Sequence, residues 1–120
     1  MADRDPTYQA DCLFCKIAAG EIPSDIAFQD ATVVVFDDIN PRAPTHVLAI
    51  PRRHLASAAD LADADGDLLA ALFSALRRVA AERGIEGYRI VTNVGAESGQ
   101  SVFHLHFHLL GGRRMAWPPG

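Results

Sequence analysis

The chain has 120 residues, 49% of them hydrophobic and 22% charged, with a formal net charge of −4. That length and composition suit one globular domain with a real core and exclude a disordered chain. The acidic balance, with no basic stripe, argues against DNA or RNA as a partner; no apolar run of about 18 residues exists, so no membrane-spanning helix is expected.

In chain order, residues 1–11, "MADRDPTYQAD", read as a flexible, polar lead-in without the apolar stretch of a signal peptide. The expected location is therefore the cytoplasm, where Cys12 and Cys15 are reduced or metal-bound rather than disulfide-linked. Residues 12–120 read as one domain with no repeat or linker. "LFCKIAAG" (13–20) predicts a short helix stopped by Gly20, with Phe14, Ile17 and Ala18 inward. "IAFQD" and "TVVVFDD" are β-branched and aromatic runs that predict a hairpin. Pro41 and Pro44 make "INPRAPTH" a loop, and "HVLAIP" (46–51) is a third strand ended by Pro51.

Leu68, Leu69, Leu72, Phe73, Leu76, Val79 and Ala80 recur at helical spacing. Asp63, Asp65 and Asp67 gather at the start of that helix and Arg77, Arg78 and Arg83 at its end, an order that suits the helix dipole, and Gly84 is its predicted stop. "YRIVTNV" (88–94) predicts a fourth strand, "GAESGQS" (95–101) a turn, and "VFHLHFHLL" (102–110) a fifth strand. The tail, 111–120, is too rich in Gly and Pro to be regular. The fold expected is α+β: a five-stranded antiparallel sheet with one long and one short helix.

The fifth strand carries His104, His106 and His108 at alternate positions. Alternation puts them on one face and Phe103, Leu105, Phe107 and Leu109 on the other, toward the long helix. One histidine is commonly a satisfied core or surface group; three neighbouring imidazoles need three sets of partners, so a site is the better explanation. Two kinds of site fit: a metal held by two histidines, or a substrate met by a nucleophile or base. Neighbours on that face stand about 6.6 Å apart and the outer pair about 13 Å, so one ion does not take all three. The adjoining loop offers Gly99 for close backbone approach and Gln100 and Ser101 as donors, and Asn93 closes the neighbouring strand. Donors, an imidazole and no carboxylate are what a phosphate requires.

"HLHFH", with "GQS" and "PTH" in register and a "GGR…WPPG" ending, resembles the histidine triad (HIT) family over almost the whole chain. The ending resembles the Hint branch of purine nucleoside phosphoramidases. The resemblance implies an enzyme that hydrolyses the P–N bond of AMP-type amine or lysine adducts through a nucleotidyl-histidine. It implies His106 as nucleophile, His108 at the phosphate, Ser101 and Gln100 at phosphate oxygens or the leaving group, and His46 as a proton relay. Asn93, Gly99 and Gln100 become nucleotide contacts and Asp38 the ribose ligand. Leu13, Phe14, Ile17, Phe36 and Ile39 become an apolar slot for the base. It also implies a homodimer whose sheets join and whose tail, with Trp117, shapes the partner's pocket.

"CLFC" departs from the best-known Hint proteins. A C-x₂-C pair is a common zinc half-site. Other HIT branches pair it with two histidines, which maps a structural zinc onto Cys12, Cys15, His54 and His104, and no redox cofactor is expected. The competing readings are a dinucleoside polyphosphate hydrolase and a non-catalytic nucleotide- or zinc-binding module; an intact triad argues against the second.

Overall fold

The computed structural model describes residues 4–120. Helix α1 spans Leu13–Ala18 and is followed by Gly20 at φ 76°, a backbone region that glycine enters without strain. Strand β1, Ile26–Gln29, pairs antiparallel with β2, Val33–Asp37. Their turn is set by the Asp30 carboxylate, which accepts the N–H groups of Thr32 and Val33 at 2.8 and 2.9 Å; a short acidic side chain bonding just ahead of itself is a common turn device. Strand β3 is Thr45–Pro51, helix α2 Gly66–Glu82, β4 Tyr88–Val91 and β5 Phe107–Gly111. The sheet order is β1-β2-β3-β5-β4 with every pairing antiparallel. The expected α+β fold is what forms.

Period-two alternation divides the sheet residues between two layers. Val33, Val35, Val47, Ala49, Phe107 and Leu109 pack under Leu72, Leu76 and Val79 of α2. On the opposite face, Val34, Phe36, Leu48 and Ile50 pack on Phe14 and Cys15 of α1. Fully burying each such aliphatic side chain contributes about 1.5–3 kcal/mol, so both layers are substantial. Phe73 departs from expectation: it is 41% exposed. It covers the rim of the core, its ring centroid 5.3 Å from that of Phe107. The ends of α2 follow the charge order. Asp65 accepts the Ala62 N–H and pairs with Arg53. Arg83 makes a bidentate pair with Asp37 at 2.9 and 3.0 Å, and Gly84 follows at φ 67°.

Two strands are shorter than the sequence pattern predicts. β4 ends at Val91 and β5 begins only at Phe107. Past Val91 the chain leaves the ladder, and the Thr92 hydroxyl donates to the His106 carbonyl at 2.8 Å. The Leu105 N–H turns to Leu55 O. Opposite Leu105 in the extended register stands Pro51, which has no N–H to offer. Residues 102–106 are therefore held by single bonds rather than by a ladder.

Residues 4–11 contain no helix or strand, but they bond to the rest of the chain: Tyr8 Oη to Glu21 at 2.6 Å and the His54 N–H to Thr7 Oγ1 at 2.6 Å. Among the described residues no helix is long and apolar enough to cross a membrane.

Candidate functional site

The alternation of the histidines survives the loss of ladder pairing. Leu105, Phe107 and Leu109 enter the α2 core, while His104, His106 and His108 face the other layer. Phe103 is the exception, 51% exposed beyond the end of the core. The histidine face then splits into two centres.

In the first centre, Cys12 Sγ lies 3.3 Å from His104 Nδ1, and Cys15 Sγ lies 3.3 Å from His54 Nδ1 and 3.5 Å from His104 Nδ1. The two imidazole nitrogens are 3.2 Å apart. A tetrahedral zinc with ordinary bond lengths sets edges of about 3.3 Å between two nitrogens and about 3.6 Å between nitrogen and sulfur. The donor set therefore fits zinc in number, chemistry and spacing, and burial gives it a closed, structural character. His104 presents Nδ1 because its Nε2–H donates to Pro51 O at 2.8 Å. A second partner that fixes a ligand's tautomer is the usual support of such sites. Burial, with the neighbouring Cys12 adding to it, pushes the Cys15 thiol up to about 11; a coordinated divalent cation would reverse that and hold the thiolate.

The second centre is a hydrogen-bond chain. His106 Nδ1 donates to the His104 carbonyl at 2.7 Å, which leaves the Nε2 lone pair free. The Arg42 N–H donates to His46 Nδ1 at 3.0 Å. His46 Nε2 must then carry the proton, which it gives to His108 Nδ1 at 2.9 Å. His108 consequently presents Nε2–H. Partners thus assign both tautomers: an unprotonated nitrogen on His106 beside a donor on His108, ring centroids 5.0 Å apart.

Burial pushes His106 below the ordinary imidazole range and His108 down to about 4, with His106 and His46 adding to the effect on His108. All of these rings are neutral near pH 7. Burial also lowers His46, against the pull of Asp38, so its 3.5 Å contact with Asp38 Oδ2 is a polar contact rather than an ion pair at that pH. Asp38, His46 and His108 bring three donor atoms within 4.8 Å of one another. A cation on His46 Nε2 would move its proton to Nδ1, against the Arg42 N–H, so hydrogen bonding is the better account of this trio.

Beside His106 and His108 opens a pocket of about 340 Å³, lined by Leu13, Phe14 and Ile17 of α1, by Phe36, Asp38 and Ile39, and by Ser101. The expected apolar residues thus share one pocket with Asp38, Ser101, His106 and His108. Ile22, Pro23, Leu48 and Val102 add to its apolar wall, and Ser24, Asp37 and Asn40 also line it. Leu48 was findable, since it sits directly across from His108 in the β3–β5 pairing; Ile22 and Pro23 come from a loop with no sequence signal. A larger open groove, about 730 Å³, lies behind that loop but contains no histidine.

Four expected contacts lie elsewhere. Gln100 corrects the sequence reading. Its amide donates to Ala56 O and Val102 O and accepts the Gly95 N–H, so the side chain organises the loop and has no free donor for phosphate. Gly99 supplies a left-handed turn at φ 104°, and neither it nor Asn93 lines the pocket. Trp117 is 82% exposed, stacked on the Arg89 guanidinium 5.7 Å from its ring centre and away from this chain's own pocket.

Comparison with known proteins identifies the family. The family model described as scavenger mRNA decapping enzyme C-term binding matches residues 11–116. The chain is 45% identical to an uncharacterized HIT-like protein of Synechococcus elongatus over 92% of its own length and 97% of the relative's. It is 46% identical to the 14 kDa zinc-binding protein of Zea mays, over 90% and 87% of the two chains. Among solved structures, a HIT family hydrolase from Legionella pneumophila superposes with TM-score 0.90 at 50% identity, over 92% of this chain and all of that one. The chain belongs to the histidine triad (HIT) family.

Proposed function

We propose that the protein is a purine nucleoside phosphoramidate hydrolase of the Hint type. The observation that carries this reading is the pair of assigned tautomers: a free Nε2 lone pair on His106 next to an N–H on His108, both rings lining an apolar slot. The slot takes the base between Leu13, Phe14, Ile17, Phe36 and Ile39, and Asp38 takes the ribose hydroxyls. His108 Nε2–H and Ser101 hold phosphate oxygens and withdraw charge from phosphorus. His106 Nε2 attacks the α-phosphorus and the P–N bond breaks, the departing nitrogen taking a proton from solvent that the later attack of water returns. The resulting P–N bond to His106 is then cleaved by water, which releases the nucleoside monophosphate and restores the imidazole.

Zinc at Cys12, Cys15, His54 and His104 holds the first centre together and takes no part in these steps; the name of the maize relative supports that metal. The hydrolase title of the Legionella structure supports the reaction class.

The protein acts as a cytoplasmic homodimer. β4 is an end strand with an open outer edge, and joining it to a second copy covers that edge. Trp117 and its tail then meet the partner's pocket on the leaving-group side. The test is turnover of a fluorogenic adenosine phosphoramidate compared with a dinucleoside tetraphosphate. A preference for the phosphoramidate supports the reading; a preference for the tetraphosphate replaces it with the sister activity.

A further inference from the structure

We propose that the metal ligands are positioning residues of the nucleotide pocket, so that metal and nucleotide bind cooperatively through α1 and the 102–106 segment. This inference rests on the nucleotide reading above.

Helix α1 has six residues, well short of the ~12–15 that an isolated helix needs to persist in water. Its position therefore depends on what anchors it. One side supplies Cys15, and its cap is Cys12, whose Sγ accepts the Cys15 N–H at 3.3 Å. Another side supplies Leu13, Phe14 and Ile17, which line the pocket. The same short element thus holds half of the metal donors and a large part of the apolar wall.

Phe14 sits between the two centres. Its ring centroid is 6.1 Å from that of the ligand His104 and 5.1 Å from that of His106, both edge-on. A base seated against Phe14 presses on a ring that also touches a metal ligand.

The second route is the backbone. His104 directs Nδ1 to the metal donors and gives its own carbonyl to His106 Nδ1. Residues 102–106 lack ladder pairing, so the placement of that carbonyl depends on isolated bonds such as Leu105 N–H to Leu55 O and on what His104 is bound to. Shifting His104 moves the acceptor that fixes the His106 tautomer.

Coupling between two sites is reciprocal: whatever factor the metal contributes to nucleotide affinity, the nucleotide contributes to metal affinity. A metal that only stiffened a remote part of the fold would leave its coordination untouched when the pocket fills.

The experiment uses the full chain with Co²⁺ in place of zinc, whose thiolate–cobalt absorption reports ligand geometry, titrated with AMP while calorimetry records binding. In parallel, zinc transfer from the native protein to a chromogenic chelator is followed with and without saturating AMP. The expected results are a shift of the cobalt bands that saturates with AMP binding, and zinc affinity raised at least about fivefold, the low end of ordinary allosteric coupling. AMP that binds while leaving both the bands and the zinc affinity unchanged overturns the coupling and spares the proposed function. AMP that does not bind at all removes the nucleotide reading and the coupling together.

Discussion

Replacing His46 with alanine tests the hydrogen-bond chain that orients His108. His46 is 6% exposed and links two partners, the Arg42 N–H at 3.0 Å and His108 Nδ1 at 2.9 Å. Truncation leaves a backbone donor and an imidazole nitrogen without their partner. Both orphaned groups are part-buried, so each loss costs up to about 1–3 kcal/mol. Only the His108 side of that loss falls on the reacting phosphate, because that ring is then free to present its lone pair instead of its N–H. One such loss in the transition state corresponds to a kcat lower by about 5- to 150-fold. The base contacts do not involve His46, and its 3.5 Å contact with Asp38 is not an ion pair near pH 7, so AMP affinity should fall by a smaller factor than kcat, which separates transition-state from ground-state binding. The assay is steady-state turnover of an adenosine phosphoramidate, paired with AMP calorimetry on the same sample. His46→Ala with kcat within twofold of the parent would show that His108 is oriented by something else.

Three further outcomes follow from the geometry. One zinc per chain should copurify, and Cys15→Ser should remove it and lower Tm; an equal Tm for parent and variant, with no metal in either, would contradict a folding role for the site. Burial holds His108 down to about 4 against an ordinary 6.5, so the unfolded chain binds the extra proton first as pH falls. This contribution to stability is complete above about 6.5 and is lost progressively toward pH 4; urea midpoints should decline across that window for the parent, and less steeply for His108→Asn. In Gly111→Ala the new Cβ would stand 2.7 Å from Ile85 Cγ2 and 3.3 Å from Tyr88 Cβ, an overpacking that should cost about 1–3 kcal/mol in urea unfolding, and an unchanged midpoint would mean the 85–88 corner yields freely.

What was legible in the sequence and what was not divide along physical lines. Alternation is a local property of extended backbone, so His104, His106 and His108 could be placed on one face, and Leu105, Phe107 and Leu109 on the other, from spacing alone. That side-chain order persists even where ladder pairing stops, which is why the face was right while the strand limits were too long. C-x₂-C announces a metal half-site, but His54 and His104 came from resemblance, since nothing local links them to it. Gln100 misled because a polar side chain in a loop beside histidines offers the same donors whether they serve a ligand or backbone carbonyls. The Arg42 N–H and the Ile22–Pro23 wall left no trace in the sequence, being a backbone group and a loop position decided by tertiary packing. Phe73 kept helical spacing, yet α2 turns it to the rim, where it shields Phe107.

The proposed reaction turns on a covalent bond between His106 Nε2 and phosphorus. The most direct measurement is rapid acid-free quenching of the enzyme during turnover of an adenosine phosphoramidate, followed by peptide mass spectrometry. The prediction is an adenylylated peptide spanning residues 103–110, with the adduct on His106, that forms and decays at rates compatible with kcat and is absent in His106→Ala. Turnover that persists in His106→Ala, or an adduct mapped to His108, would contradict it.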